Sequence, residues 1–126
     1  MASGMTPYPE VDETYLALTK ALAEAGLIYL HIANHAAMGN PPIPAALLAS
    51  LRAAWPRTFF VGGSFDLASG QAAVDAGESD LVGIGRAFIA NPDLVTRLKT
   101  GTPLAAMNGD ALYTPGAAGY TDYPNA

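Results

Sequence analysis

The sequence predicts an α/β fold in which three parallel strands alternate with helices. Three short apolar runs are the strand candidates, and apolar residues at the helical spacings of three and four lie between them. The connections are short, and strands joined through helices in this way pair in parallel with right-handed crossovers. The predicted strands are residues 27–32, 58–61 and 81–84.

The first half of the chain predicts two helices around the first strand. After a loose segment over residues 1–10, helical spacing indicates a helix that ends at Gly26. A loop over 34–42 follows the first strand, and Pro44 opens a second helix that stops before Pro56. The residues expected to face the core are Val11, Tyr15, Leu18 and Leu22, then Leu47, Leu48, Leu51 and Trp55.

The second half predicts two further strand–helix cycles, and an irregular tail over residues 102–126. Polar residues able to cap a helix follow both strands, and a glycine lies where each helix should stop. In the fourth helix we expect Leu94, Val95 and Leu98 to face inward. The expected boundary residues are Asp66 and Asn91 as N-caps, Pro92 as the first residue of the fourth helix, and Gly77 and Gly101 as helix ends.

Composition restricts the classes of function. A chain of 126 residues has room for one domain, and its net charge of −5 argues against nucleic-acid binding. The absence of cysteine excludes disulfides and thiolate catalysis. With 51% apolar and 13% charged residues, a free-standing chain is expected to expose apolar surface and form a homo-oligomer. No apolar stretch reaches the ~18 residues of a membrane span, and residues 1–5 do not resemble a signal peptide, so we expect a cytoplasmic protein.

The second and third strands both run into glycine, over residues 58–63 and 81–86. A strand that stops at glycine lets backbone N–H groups approach an anion closely, and a following helix N-terminus adds a favourable dipole. Two such units in succession are similar to the phosphate grip after strands 7 and 8 of a (β/α)8 barrel. The pattern predicts a phosphorylated cofactor; the alternative is that the glycines only end strands and that the arginine is a surface residue. The candidate residues are Gly62, Gly63, Gly85 and Arg86.

Four segments together resemble the old yellow enzyme family. They are residues 26–31, the turn over 62–66, the run over 80–94 and the ending over 119–124, and the resemblance extends from 7 to 124. It implies an FMN-dependent (β/α)8 enzyme that takes hydride from NADPH or NADH. The hydride passes to the β-carbon of an α,β-unsaturated carbonyl compound.

The resemblance covers only the C-terminal third of such an enzyme. A closed barrel takes about 200 residues or more, so we expect a truncated member. The predicted fold is a C-terminal partial barrel of about three parallel strands and four helices, in a single domain over residues 1–126. Oligomerisation or a missing partner would complete it.

The resemblance also implies roles for individual residues. Gly62 and Gly63 would donate backbone N–H groups to the FMN phosphate after strand 7, and Gly85 and Arg86 would do so after strand 8. Tyr113 would line the substrate side of the flavin. No catalytic residue is assigned, because the family's N-terminal portion carries the other flavin contacts, the pair that holds the carbonyl oxygen and the proton-donating tyrosine. The small segment 36–38 replaces a bulky group in the loop after strand 6.

Other candidate groups favour structural roles. His31 and His35 have the spacing of a metal pair on a helix, but they fall on a strand and a loop without a nearby carboxylate, so no metal site is predicted. His31 is expected to be a barrel-core or hydrogen-bonded residue, and Tyr120 and Tyr123 to anchor the tail to the barrel. The sequence thus leaves two functions open. One is part of an FMN-dependent oxidoreductase; the other is an inactive partial barrel that self-associates or binds a phosphate-bearing ligand.

Overall fold

A computed structural model describes residues 8–36 and 39–126 of the chain. The chain divides into two compact units, Met1–Gly83 and Ile84–Ala126, and each unit is described by itself. The single domain over 1–126 stays a prediction. Residues 1–7 of the expected loose N-terminus lie outside the described residues.

The first unit is a parallel sheet with helices in the predicted alternating order. Its three strands lie in the order β1-β2-β3, and both neighbouring pairs are parallel. The predicted α/β class and parallel sheet are therefore confirmed. The elements are α1 (Val11–Glu24), β1 (Tyr29–Ala33), α2 (Ala45–Ala54), β2 (Thr58–Gly62), α3 (Leu67–Asp75) and β3 (Leu81–Gly83).

The core of this unit lies between the central strand and the helices. Phe59 and Val61 of β2 are buried and pack with Leu51 and Trp55 of α2. Successive residues of a strand point to opposite faces, so Phe60 points away from this core. Partly buried apolar side chains pack against this cluster, namely Leu16, Leu22, Ala23, Leu30, Ile32, Leu47 and Phe65.

The face of α1 that packs inward differs from the expected one. Tyr15 and Leu18 are 44% and 49% exposed, whereas Thr19 is buried and Leu16 packs against the core. Apolar residues occur on more than one side of this helix, so its sequence spacing fits two stripes. Packing against α2 and the sheet selects the stripe that contains Leu16 and Leu22. The first strand also begins at Tyr29 rather than at residue 27.

The second unit contains two short helices, α4 (Arg86–Ala90) and α5 (Leu94–Thr100), and a 3-10 turn (Gly109–Ala111). The described residues therefore form five α-helices, one more than the sequence predicted. Gly101 ends α5 with a φ of 71°, as expected. Apart from the turn, residues 102–126 lack regular structure, as expected of the tail. Throughout 8–36 and 39–126, no helix has the length and apolar character needed to cross a membrane.

Asn91 does not cap the fourth predicted helix. Asp93 precedes α5, and neither Asn91 nor Pro92 begins it. Asn91 is fully buried: its Nδ2 donates to the carbonyl oxygens of Ala87 (2.8 Å) and Ala105 (3.1 Å), and its Oδ1 accepts the Ala105 N–H (2.8 Å). The side-chain amide of Asn91 thus connects the backbone before α5, at Ala87, to the backbone after α5, at Ala105. The expectation for Val95 was also wrong, since it is 52% exposed while Leu94 is buried.

Arg97 holds the tail beside α5. Its Nε donates to the Asp93 carboxylate at 2.7 Å, and its two terminal nitrogens donate to the carbonyl oxygens of Pro103 (2.9 Å) and Pro124 (3.2 Å). The second Asp93 oxygen accepts the Ala126 N–H at 2.8 Å. The Asp93–Arg97 ion pair thus makes hydrogen bonds to the tail backbone at Pro103, Pro124 and Ala126. The irregular tail makes few backbone–backbone hydrogen bonds of its own.

Candidate functional site

The turn after β2 connects Gly62 to α3. Asp66 caps the helix as predicted: its Oδ1 accepts the Ser69 N–H at 2.8 Å, and the Ser69 hydroxyl oxygen accepts the Asp66 N–H at 3.0 Å. Bonds from the Ser69 hydroxyl and N–H hold the pKa of Asp66 below its ordinary value. A carboxylate therefore already lies at the positive end of α3. The sequence pattern predicted that the dipole of this helix would favour a bound anion. In the structure, the Asp66 carboxylate already occupies the positive helix end and takes up that role.

The backbone between Gly62 and Asp66 still offers hydrogen-bond donors. The N–H groups of Gly63 and Ser64 donate to no acceptor within the described parts of the chain. Gly63 is half-buried and Ser64 is exposed. N–H groups of a turn that have no acceptor in the chain can donate to an anion. The turn therefore has two N–H donors available for the acceptor atoms of a ligand.

Gly85 and Arg86 lie where the second unit begins. Gly85 precedes α4 with a φ of −95°, and Arg86 is the first residue of that helix. Both residues are exposed. A side chain at Gly85 would meet nothing within 4 Å, so this glycine leaves an open approach to its backbone.

Tyr113 has an unusual backbone conformation and an exposed ring. Its φ is 65°, the only positive value of a non-glycine residue in the described chain, and the residue is 87% exposed. Its N–H donates to the Tyr120 hydroxyl at 2.6 Å, and the Asn108 N–H donates to the Tyr123 hydroxyl at 2.7 Å. The hydroxyl groups of Tyr120 and Tyr123 thus accept hydrogen bonds from backbone N–H groups of the tail itself. A left-handed conformation at a bulky residue persists only where its surroundings enforce it.

The predicted site residues are divided between the units. Gly62 and Gly63 belong to the first, and Gly85, Arg86 and Tyr113 belong to the second. Of the segment 36–38, Ala37 and Met38 lie outside the described residues.

His31 stacks on a ring that sequence reasoning did not connect with it. Its imidazole lies on Phe60 of the neighbouring strand, with ring centroids 4.1 Å apart and planes 13° from parallel. The two residues are register partners, a relation that the sequence could have suggested only if the pairing of β1 with β2 had been known. Among residues 8–36 and 39–126, no cluster of three or more His, Cys, Asp or Glu could hold a metal ion.

Comparisons of the chain with known proteins identify its family. Residues 10–105 match the model of the NADH:flavin oxidoreductase / NADH oxidase family. 12-Oxophytodienoate reductase 2 of Arabidopsis thaliana is 36% identical over 128 residues, which cover 99% of this chain and 33% of the relative. Putative 12-oxophytodienoate reductase 12 of Oryza sativa subsp. japonica is 36% identical over 118 residues, 85% of this chain and 29% of the relative.

Solved structures agree with the sequence comparisons. A structure of morphinone reductase is similar with a TM-score of 0.89 and 31% identity, covering 98% of this chain and 33% of that one. A second, of morphinone reductase in complex with tetrahydroNAD, has a TM-score of 0.85, 30% identity and coverages of 95% and 32%. The chain thus spans about a third of the length of its relatives. It belongs to the NADH:flavin oxidoreductase / NADH oxidase family, the old yellow enzyme family that the sequence motifs indicated.

Proposed function

We propose that this chain contributes the FMN phosphate grip and part of the substrate pocket of an FMN-dependent oxidoreductase. The observation that carries the proposal is the turn after β2, where the Gly63 and Ser64 N–H groups have no acceptor within the described residues. The family uses FMN, and the relatives are named as reductases. The proposed reaction is NAD(P)H-driven reduction of an activated alkene.

Each proposed residue has a separate role. Gly62 and Gly63 bring the backbone after β2 close to the phosphate, and Gly85 does the same for the backbone before α4. Arg86 supplies a guanidinium group, which binds phosphate oxygens through paired N–H donors. Tyr113 presents its exposed ring to the substrate side.

FMN, when bound, supplies the hydride transfer between the nicotinamide and the unsaturated carbonyl compound. The residues of this chain bind and orient; none of them is proposed to move a proton. That assignment agrees with the resemblance, which locates the proton donor in the part of the family's length that this chain does not match. The cytoplasmic location stays a prediction.

The phosphate role is tested by comparing two flavins on one set of variants. FMN carries the phosphate and riboflavin does not, so a phosphate contact affects the first ligand alone. Arg86→Ala is expected to weaken FMN binding about 10- to 100-fold and to leave riboflavin binding unchanged. Fluorescence titration measures both dissociation constants. Lys99→Ala, which removes an exposed cation of α5, is the matched control and should leave both unchanged.

Two results would contradict this proposal. One is an unaltered chain that stays colourless and takes up no FMN. The other is an equal loss of FMN and riboflavin affinity in Arg86→Ala, which would mean that the arginine supports the fold and not the phosphate.

A second candidate function is a catalytically inactive partial barrel that self-associates or binds a phosphate-bearing ligand without turnover. It is favoured by apolar exposure at both outer strands of the sheet. Ile28 and Tyr29, before and in β1, are 75% and 57% exposed, and Leu81 of β3 is 55% exposed. Strands with an unpaired edge readily add another chain. Sedimentation equilibrium tests the homo-oligomer: a monomeric mass across micromolar concentrations would exclude it.

A further inference from the structure

The sheet face opposite the helices carries two contrasting rows of side chains. Alternate residues of the three strands form this face. Register pairs His31 with Phe60 and Phe60 with Leu81, which gives a row of large side chains. Two residues further along each strand, Ala33 pairs with Gly62 and Gly62 with Gly83, which gives a row of small ones.

The two stacked rings fill the space above the small row. A Cβ at Gly62 would lie 2.7 Å from His31 Nε2, and a Cβ at Gly83 would lie 3.0 Å from Cε2 and Cζ of Phe60. Both distances are too short for ordinary packing. Neither glycine has a positive φ, so conformational freedom is not the reason for glycine at either position. In the conformation of the structure, the two rings leave no ordinary space for a side chain at either position, and at Gly83 the Gly62 Cα, 3.2 Å from the same point, adds to this.

The neighbouring glycines differ. A Cβ at Gly63 would meet Asn34 Cβ at 3.5 Å, an ordinary van der Waals contact, and a Cβ at Gly85 would meet nothing within 4 Å. The sequence pattern treats these glycines as one kind of residue. The structure separates Gly62 and Gly83, which face the rings, from Gly63 and Gly85, which face open or loosely packed space.

We propose that the stacked His31–Phe60 pair is a positioning element for the phosphate-binding turn. The pair packs where side chains of Gly62 and Gly83 would lie, and so fixes the last residue of β2 and of β3 laterally. The turn with the Gly63 and Ser64 donors starts from that fixed end. A turn held in place before binding loses less conformational entropy when it meets an anion. This inference rests on the proposed function, because the turn matters only if it binds phosphate.

The steric part is tested without any cofactor, by a double-mutant cycle in thermal unfolding. Gly62→Ala should lower Tm by about 5 °C or more. The same change in a His31→Ala background should lower Tm by far less, since the clashing ring is gone. Gly63→Ala is the matched control, with a small effect that is equal in both backgrounds. An equal loss from Gly62→Ala in both backgrounds would overturn the inference.

The positioning part is tested with FMN and riboflavin on the full chain. His31→Ala should weaken FMN binding about tenfold while riboflavin binding stays within twofold, because only FMN uses the turn. His31→Phe keeps a stacked ring and should retain FMN affinity, which a role of the imidazole as a direct ligand would not allow. Equal losses for both flavins in His31→Ala would overturn the positioning role.

The failure of the proposed function gives a different result. If the unaltered chain binds neither flavin, the phosphate role of the turn and of the ring pair both fall. The Tm coupling between positions 31 and 62 would then still report whether the rings exclude a side chain. If FMN binds and His31→Ala leaves its affinity unchanged, the proposed function stands and the positioning role is wrong.

Discussion

The two units of this chain differ in the side chains that they bury. The unit that ends at Gly83 has an apolar cluster around Phe59 and Trp55, with Thr19 and Ser79 also buried. The unit that begins at Ile84 buries Ala90 and Leu94 together with the larger polar side chains of Asn91 and Arg97. The reason lies in their backbones. Strands and helices satisfy their own N–H and C=O groups, so their core side chains need no polar atoms. An irregular tail leaves carbonyls that buried side chains must reach.

The same contrast separates the two parts of the proposed site. The turn after β2 starts from a paired strand and is followed by a capped helix, so both of its ends are fixed by regular structure. Tyr113 lies in irregular chain and has its backbone held by one hydrogen bond to Tyr120. We expect the turn after β2 to be the more rigid feature and the tyrosine to adapt to what binds. Three experiments examine the contrast between the units.

The largest effect is expected from removing the central apolar side chain of the first unit. Phe59→Ala should reduce the free energy of unfolding by about 3–5 kcal/mol, since it combines lost burial with a cavity. Phe59 is 0% exposed, whereas Phe88 of α4 is 45% exposed and provides the matched control. Urea unfolding measures both. If Phe88→Ala cost as much as Phe59→Ala, the apolar core would not be where the structure puts it.

Removing the buried amide of the second unit comes next. Asn91→Ala leaves the Ala105 N–H and the Ala87 and Ala105 carbonyls without their partner and should cost about 2–3 kcal/mol. Amide exchange at Ala105 should accelerate at the same time. Asn108, an exposed asparagine that accepts one N–H from Asp110, is the control, and its replacement by alanine should have a small effect. Unchanged exchange at Ala105 would contradict the role assigned to Asn91.

The smallest effect is expected from acid, which acts on one carboxylate in each unit. The Ala126 N–H and Arg97 hold the pKa of Asp93 below the ordinary 3.8, and the Ser69 hydroxyl and N–H do so for Asp66. A lowered folded-state pKa gives stability that is present above the unfolded value and is lost as the pH falls through the folded one. We therefore expect stability to decline below about pH 4.

Single variants assign this decline to the units. Asp93→Asn should remove the share of the acid-induced stability loss that accompanies loosening of the tail. Asp66→Asn should remove the share that accompanies fraying of α3. Amide exchange as a function of pH follows each segment separately. A wild-type profile that is flat from pH 6 to pH 3 would contradict the expectation for both carboxylates.

Local sequence was sufficient to predict the order of the elements in the first unit. Apolar spacing, the Asp66 cap and the glycine after α1 are short-range signals, because helix and turn conformations depend on neighbouring residues. The same signals predicted the parallel sheet, and the combined motifs were enough to indicate the family. They also marked both glycine turns as candidate sites.

Tertiary structure decided the features that depend on residues far apart in the chain. The exposed stripe of α1, the polar role of Asn91 and the ring contact at Gly62 each involve partners from another element. A glycine in the sequence shows that a position has no side chain. It does not show which other residue occupies the space where that side chain would lie. At Gly62 that place is taken by His31, 31 positions earlier in the chain, because strand pairing brings the two strands side by side.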